Sequence, residues 1–204
     1  MDIAILAGGL GTRLQGVWKG PKCLVPIAGK PVLFRLLDRA RKLKADKIHL
    51  LLGNHVAQRV LDALQVEYWS GWIGPKFLVN ISPAVGTAEA IRKASSCKAP
   101  LLVLNGDTLP LYPLSALLSF FEASFYARTS AAVAWSDGRA AGAAVLSHHM
   151  LDVIKQGVGL NLDWFLLSAA RYRVPGYFDI GTPEAYHRAQ HLKGDPFDSD
   201  EDAV

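Results

Sequence analysis

Short, mostly apolar runs alternate along the chain with segments whose apolar residues recur at helical spacing. Ile3–Leu6, Ile48–Leu52, Phe77–Ile81 and Leu101–Leu104 are of the first kind. Runs this short, with little polar alternation, predict strands covered on both faces. Between them Val32, Leu33, Leu36, Leu37, Ala40 and Leu43 repeat at intervals of three and four, as do Val56, Val60, Leu61 and Leu64, and then Ala88, Ile91 and Ala94. That spacing predicts helices with one buried stripe. Pro113 to Ser124 predicts a fourth helix after a loop punctuated by prolines. Strands and helices alternating at this pitch predict an α/β fold with a doubly wound, mostly parallel (mixed) sheet. In such sheets a ligand binds beyond the carboxyl ends of the strands.

Composition narrows the class. Half of the 204 residues are hydrophobic, and a chain of that length buries a sizeable core as a single domain. The expected domain is 1–194, followed by a tail, 195–204, that reads DPFDSDEDAV and carries five acids with no Lys or Arg. Such a tail is expected to be disordered and solvated. No apolar run approaches the roughly 18 residues that span a bilayer, and the opening residues lack a signal peptide's basic flank and cleavage site. The expectation is a cytoplasmic protein with no membrane partner. Cys23 and Cys97 stand alone, without zinc or redox spacing, which suits a reducing compartment. Cys23 follows Lys22, so a lowered thiol pKa is one reading and a small buried filler is the other.

The formal net charge of +4 is unevenly spread, because residues 1–194 hold 22 basic against 13 acidic side chains. That balance attracts anions. Nucleic acid is not expected, since the basic residues are dispersed or locked into short motifs without interleaved aromatics. The densest cluster, Arg39-Ala-Arg-Lys-Leu-Lys44, lies along a predicted helix and reads as a solvated face. A phosphorylated small molecule fits better.

Ala7-Gly-Gly-Leu-Gly-Thr-Arg13 follows the first predicted strand, at the edge where a ligand would sit. Glycines there let backbone N–H groups approach an anion, although a plain tight connection would use them too. The stretch is neither a Walker A loop nor G-x-G-x-x-G. Arg13 adds a fork suited to phosphate oxygens, and Lys22, after Pro21, adds a point charge. The sequence resembles the sugar-1-phosphate nucleotidylyltransferase family, whose motif runs G-x-G-T-R and then P-K. Gly9-Leu-Gly-Thr-Arg13 and Pro21-Lys22 match it, and Gly29-Lys-Pro31 matches the segment that follows. The resemblance implies a Rossmann-like nucleotidyltransferase fold in which residues 1–112 bind the nucleotide and 113–194 the sugar. It implies that Leu6, Ala7, Gly8, Gly9, Gly11, Thr12 and Asn105 hold the nucleotide, that Arg13 contacts the outgoing pyrophosphate, and that Lys22 contacts the phosphates at the reacting centre.

Two carboxylates follow. Asp107 ends the run Leu101–Asn105 after Gly106, and Asn-Gly ordinarily signals a hairpin. A loop and then a helix follow instead, with no partner strand apparent, which leaves Asp107 at a strand's carboxyl end as a hard oxygen ligand suited to Mg²⁺. Gly176-Tyr-Phe-Asp-Ile-Gly-Thr-Pro-Glu-Ala-Tyr186 then sets Asp179 between apolar neighbours. Thr182 is the expected N-cap, with Pro183 at the first helical position and a helix to about Leu192. Asp179 could merely cap a neighbouring helix. The resemblance makes Asp107 a metal ligand and Asp179 its partner across the cleft. It also assigns Gly86, Thr87 and Ala88 to the nucleobase, with Glu89 where relatives commonly have glycine.

Such an enzyme has no need of a protein nucleophile, because a sugar 1-phosphate is already an anion that can attack the α-phosphorus of an NTP. His187 and His191 have metal-ligand spacing but no third ligand nearby, and they read as a surface face. Longer relatives carry a Glu-Lys-Pro element for the sugar phosphate, which is missing here. Arg139, Lys155, Arg171 and Arg173 are the available substitutes, and Gly142, with Lys155, is assigned to the sugar phosphate. The ends L-A-G-G-L-G-T-R-L and D-I-G-T-P look most like the mannose- and heptose-1-phosphate guanylyltransferase branch. Molybdenum-cofactor guanylyltransferases carry a different Ser-Arg-Met-Gly pattern. The alternatives are a cytidylyl-, uridylyl- or thymidylyltransferase acting on another phosphorylated sugar or alditol, or an inactive nucleotide-binding regulator. A homo-oligomer is left open.

Overall fold

A computed structural model describes residues 1–68, 74–83, 86–94, 96–125, 129–157 and 169–191. Its amino-terminal half alternates as the periodicity predicts: β1 (Asp2–Leu6), the short hairpin of β2 (Pro26–Ile27) and β3 (Lys30–Pro31), α1 (Val32–Lys42), β4 (Lys47–Gly53), α2 (Asn54–Glu67), β5 (Lys76–Ser82), α3 (Thr87–Lys93) and β6 (Leu101–Asn105). After it come β7 (Thr108–Pro110), α4 (Leu114–Phe125), β8 (Ala131–Ser136), β9 (Arg139–Leu146), α5 (His148–Lys155), β10 (Ala170–Arg173), β11 (Tyr177–Asp179) and α6 (Pro183–Gln190). The acidic tail lies outside the described residues.

Seven strands form one sheet in the order β10-β8-β9-β6-β1-β4-β5. β1 pairs in parallel with β4 and β6, whereas β9 runs antiparallel to both β6 and β8. The chain winds outward from β1 to β4 and β5, then returns to add β6 on the other side of β1. That reversal opens a crevice at the carboxyl ends of β1 and β6.

The uninterrupted apolar strands follow from cover on both faces. Ile3, Ile5, Ile48, Leu50, Leu102 and Leu104 pack with Leu33, Leu36, Leu37, Val60, Leu64 and Leu117 from α1, α2 and α4. Their sequence neighbours Ala4, Leu51, Leu101 and Val103 point the other way, onto Ala88 and Ile91 of α3 and Met150, Leu151 and Ile154 of α5. At the amino ends of the strands Asp2 and His49 form a buried pair at 3.0 Å, and Asp2 also accepts the Lys98 amide at 3.0 Å.

The solvated face expected over Arg39–Lys44 is corrected at its first residue. Arg39 is buried, and its guanidinium donates to the carbonyls of Pro110 at 2.6 Å and Tyr112 at 2.5 Å. Arg35, one turn earlier and also buried, donates to the Ile27 carbonyl at 2.5 Å. One helix face therefore fastens both the β2–β3 hairpin and the segment after Asp107. Arg39→Ala would strand two carbonyls, and we expect it to lower the unfolding free energy by about 2–3 kcal/mol in urea titrations. An unchanged urea midpoint would contradict this role.

Candidate active site

Backbone geometry builds the crevice floor. Leu6 pairs with Leu51 on one side and Asn105 on the other, so β1 and β6 end level with one another while β4 runs on two residues to Gly53. Beyond that line the Ala7 amide donates to the Leu51 carbonyl at 2.8 Å and the Gly106 amide to the Leu6 carbonyl at 2.9 Å. Among the described residues, the amides of Gly8, Gly9 and Leu10 donate to no backbone carbonyl. Three successive N–H groups without a backbone acceptor are donors left available to an anion. Gly11 turns the chain with φ +61° into a single 3-10 turn, Thr12–Leu14, that carries Arg13. A side chain at Gly8 would press on the Gly53 amide at 3.0 Å, and one at Gly106 would meet the Leu6 carbonyl at 2.7 Å.

The crevice is about 390 Å³ and is lined by Leu6, Gly8, Gly9, Gly86, Thr87, Asn105 and Asp107 among the residues expected from sequence. Leu51, Gly53, Ser82 and Pro83 line it too. These were missed, although the rule that ligands sit at the carboxyl ends of strands, applied to β4 and β5, would have found them. Two expected contacts are placed differently. Ala7 is 4% exposed with its amide committed to Leu51, and Ala88 is 2% exposed against the α3–α5 layer, so neither side chain faces the crevice.

At the crevice mouth the charged residues converge. Lys22 Nζ pairs with Asp107 Oδ2 and lies 3.7 Å from Asp179 Oδ1. The expectation that no strand partners the residues after Asp107 is corrected: Thr108–Pro110 pairs antiparallel with Tyr177–Asp179, setting Asp179 directly opposite Thr108. The Ile180 amide donates to the Asp107 carbonyl at 3.1 Å, and Thr108 Oγ1 donates to Asp107 Oδ1 at 3.1 Å. Alternation along β11 buries Phe178 and Ile180 and turns Asp179 outward. Thr182 caps α6 by accepting the Ala185 amide at 3.2 Å. Arg13 closes the group from the other side, its Nη2 lying 3.4 Å from where a Cβ on Gly181 would stand.

This donor set fits a divalent cation. Asp179 Oδ1 is buried with no hydrogen-bond donor, although 43% of the side chain is exposed. It faces the same ammonium that Asp107 grips. Among the described residues no cluster of three His, Cys, Asp or Glu forms. Mg²⁺ ordinarily takes one or two carboxylates and fills its shell with water and substrate phosphate. Cys23 beside this group is not an activated thiol, because burial, and then the Asp107 charge, push its pKa up to about 12.

The proposed sugar-phosphate residues separate. Gly142 lies in β9 with φ +77°, so close to Thr108 that a Cβ would stand 2.5 Å from its Cγ2, and this places it beside Asp107. Lys155 does not join them, which corrects that expectation. Its Nζ donates to the Cys97 carbonyl at 2.8 Å, ahead of β6 and near Asp2, at the amino ends of the strands. Arg139 stacks over Tyr177 at 5.4 Å and Arg171, within β10, over Trp135 at 4.2 Å.

Residues 3–171 match the family described as the MobA-like NTP transferase domain. The chain belongs to that family. Among curated proteins it is 33% identical over 156 residues to the bifunctional protein GlmU of Aquifex aeolicus, a match covering 74% of this chain and 30% of GlmU. GlmU of Janthinobacterium sp. is 32% identical over 127 residues, covering 61% of this chain and 26% of that protein. The chain thus spans less than a third of the length of these relatives. HddC from Yersinia pseudotuberculosis superposes with a TM-score of 0.68 at 24% identity, over 92% of this chain and 97% of that one. A UDP-glucose pyrophosphorylase from Acinetobacter baumannii superposes at 0.71 and 16% identity, over 92% and 91%. These likenesses establish the nucleotidyltransferase fold of the NTP transferase domain. No described helix is long and apolar enough to cross a membrane.

Proposed function

We propose that this chain transfers a nucleoside monophosphate from an NTP to a sugar 1-phosphate and releases pyrophosphate, with GTP and a mannose- or heptose-type acceptor favoured. The observation that carries the reading is Lys22 held between Asp107 and Asp179 at the mouth of the glycine-loop crevice. The amides of Gly8, Gly9 and Leu10 supply donors for the triphosphate, and Thr12 at the start of its turn extends them. Gly86 and Thr87, at the far wall, border the base. Gly142 lets Thr108 pack close beside Asp107 on the acceptor side, which the reading assigns to residues 113–194.

An acceptor phosphate oxygen attacks the α-phosphorus while the bond from that phosphorus to the bridging oxygen of pyrophosphate breaks. No proton need move, which matches a site built of cations and amides. Lys22 offsets charge at the α-phosphate, and Arg13 offsets the charge accumulating on pyrophosphate. Mg²⁺ between Asp107 and Asp179 would supply further neutralisation of phosphoryl oxygens and fix their orientation. Retention of Arg13, Lys22, Asp107 and Asp179 together favours an enzyme over an inactive regulator. The reading places the reaction in the cytoplasm, which the free, buried Cys23 and Cys97 suit.

Support for guanine comes from the HddC structure complexed with GMP-PN, which superposes with a TM-score of 0.70. The pyrophosphorylase relative keeps a uridylyl reading in view, and Glu89, engaged by Arg92 at 2.6 and 2.5 Å, leaves base choice to the crevice wall. A panel of NTPs against hexose, heptose, amino-sugar and alditol phosphates, read as pyrophosphate release with Mg²⁺, decides both substrates. We expect GTP with a mannose- or heptose-type acceptor to lead. Silence across the panel would favour the regulator.

A further inference from the structure

Paired positions on neighbouring strands stand on one face of a sheet. Leu6 and Asn105, which line the crevice, are such a pair. Two residues before Asn105, Val103 pairs with Ala144, Ala144 with Val133, and Val133 with Arg171. The crevice face therefore continues across β9 and β8 to β10. Two residues further along β8 stands Trp135, opposite Ala140 on one side and Arg173 on the other.

This face is covered unequally. Toward the amino ends, Ala131 and Leu146 lie under Met150, Leu151 and Ile154. Toward the carboxyl ends Ala140, Arg171 and Arg173 are exposed and Trp135 is half-buried. Between Trp135 and Asn105 the floor is Ala140 and then Gly142, against which Thr108 packs, and among the described residues of β9 no side chain larger than alanine's rises from this part of the face. Two strand spacings, about 10 Å, separate β8 from β6. A gap of that width matches one pyranose ring with its phosphate turned toward Asp107.

We propose that Trp135, fixed by Arg171, is the platform for the sugar ring of the acceptor, and that the acceptor is therefore a cyclic glycosyl 1-phosphate rather than an open-chain alditol phosphate. The inference rests on the transferase reading above. An indole presents a flat apolar face, and a pyranose offers a matching face of C–H groups that a flexible alditol lacks. Arg171, 4.2 Å from the ring, holds the indole by a cation–π contact and leaves its own donors at the rim. Arg171 is thus a positioning residue.

Steady-state kinetics on the full chain test this. With the best acceptor from the panel, Trp135→Ala should raise the acceptor KM about tenfold, with the NTP KM unchanged and kcat affected less than KM. Trp135→Phe should recover most of the loss, which separates ring stacking from folding. Arg171→Gln should raise the same KM by a smaller factor, and cyclic acceptors should outpace alditol phosphates in the parent enzyme. An unchanged acceptor KM in Trp135→Ala, an equal rise in the NTP KM, or alditol phosphates used as well as cyclic ones would overturn the platform while leaving transfer intact. A parent enzyme that turns over no acceptor overturns the transferase reading itself, and the platform with it.

Discussion

Asp107→Asn should reduce pyrophosphate release about a thousandfold, with the chain still folded and still able to bind NTP. The substitution keeps the shape of the side chain and an acceptor for Thr108 Oγ1, now 3.1 Å away, and it leaves the backbone bond from Ile180 to the Asp107 carbonyl untouched. Only the charge goes. One charge pair at 4 Å is worth roughly 4 kcal/mol at an effective dielectric of 20, and about 1.4 kcal/mol is a decade in rate. Lys22 would keep a single weak partner, Asp179 at 3.7 Å, and the carboxylate pair that fits a divalent cation would be halved. Single-turnover measurement of pyrophosphate, with nucleotide binding followed separately, isolates the chemical step. A rate within about tenfold of the parent would mean that Asp107 is structural and that the site works without it.

Sequence reading found this site because most of its parts lie in local motifs. A buried strand followed by Gly8-Gly9-Leu10-Gly11 can be placed at the carboxyl edge from periodicity alone, and Thr182-Pro183 marks a helix start by its chemistry. What it could not see was pairing between distant segments. Nothing local in Thr108-Leu-Pro110 says that it will pair with Tyr177-Phe-Asp179, because a three-residue strand has too little pattern to reveal a partner. Lys155 was misplaced for a related reason. Its helix follows β9, and because β9 runs antiparallel to β6 it delivers α5 to the amino edge of the sheet, a direction that composition does not encode. Arg39 carries the opposite lesson. A basic residue in a basic run reads as solvated, yet its position one turn after Arg35, on the buried face of α1, directs it at the carbonyls that support β7.

Gly181→Ala tests position without touching charge. The methyl group would stand 3.1 and 3.2 Å from the two carboxylate oxygens of Asp179 and 3.4 Å from Arg13 Nη2. All three contacts are tight, and the atoms that must yield are those proposed to grip the cation and the departing pyrophosphate. The backbone at Gly181 does not require a left-handed φ, so alanine fits the chain itself and should stabilise the unfolded-to-folded balance slightly if it does anything. Stability and activity therefore part company. We expect a melting temperature close to the parent's and a fall in kcat of about a hundredfold, the usual cost of displacing a catalytic group by a fraction of a bond length to about 1 Å. A parent-like kcat would show that Asp179 and Arg13 have room to move while still working. In that case the converging geometry at the mouth of the crevice would be a property of the resting chain, and the reaction would be organised by Asp107 and Lys22 alone.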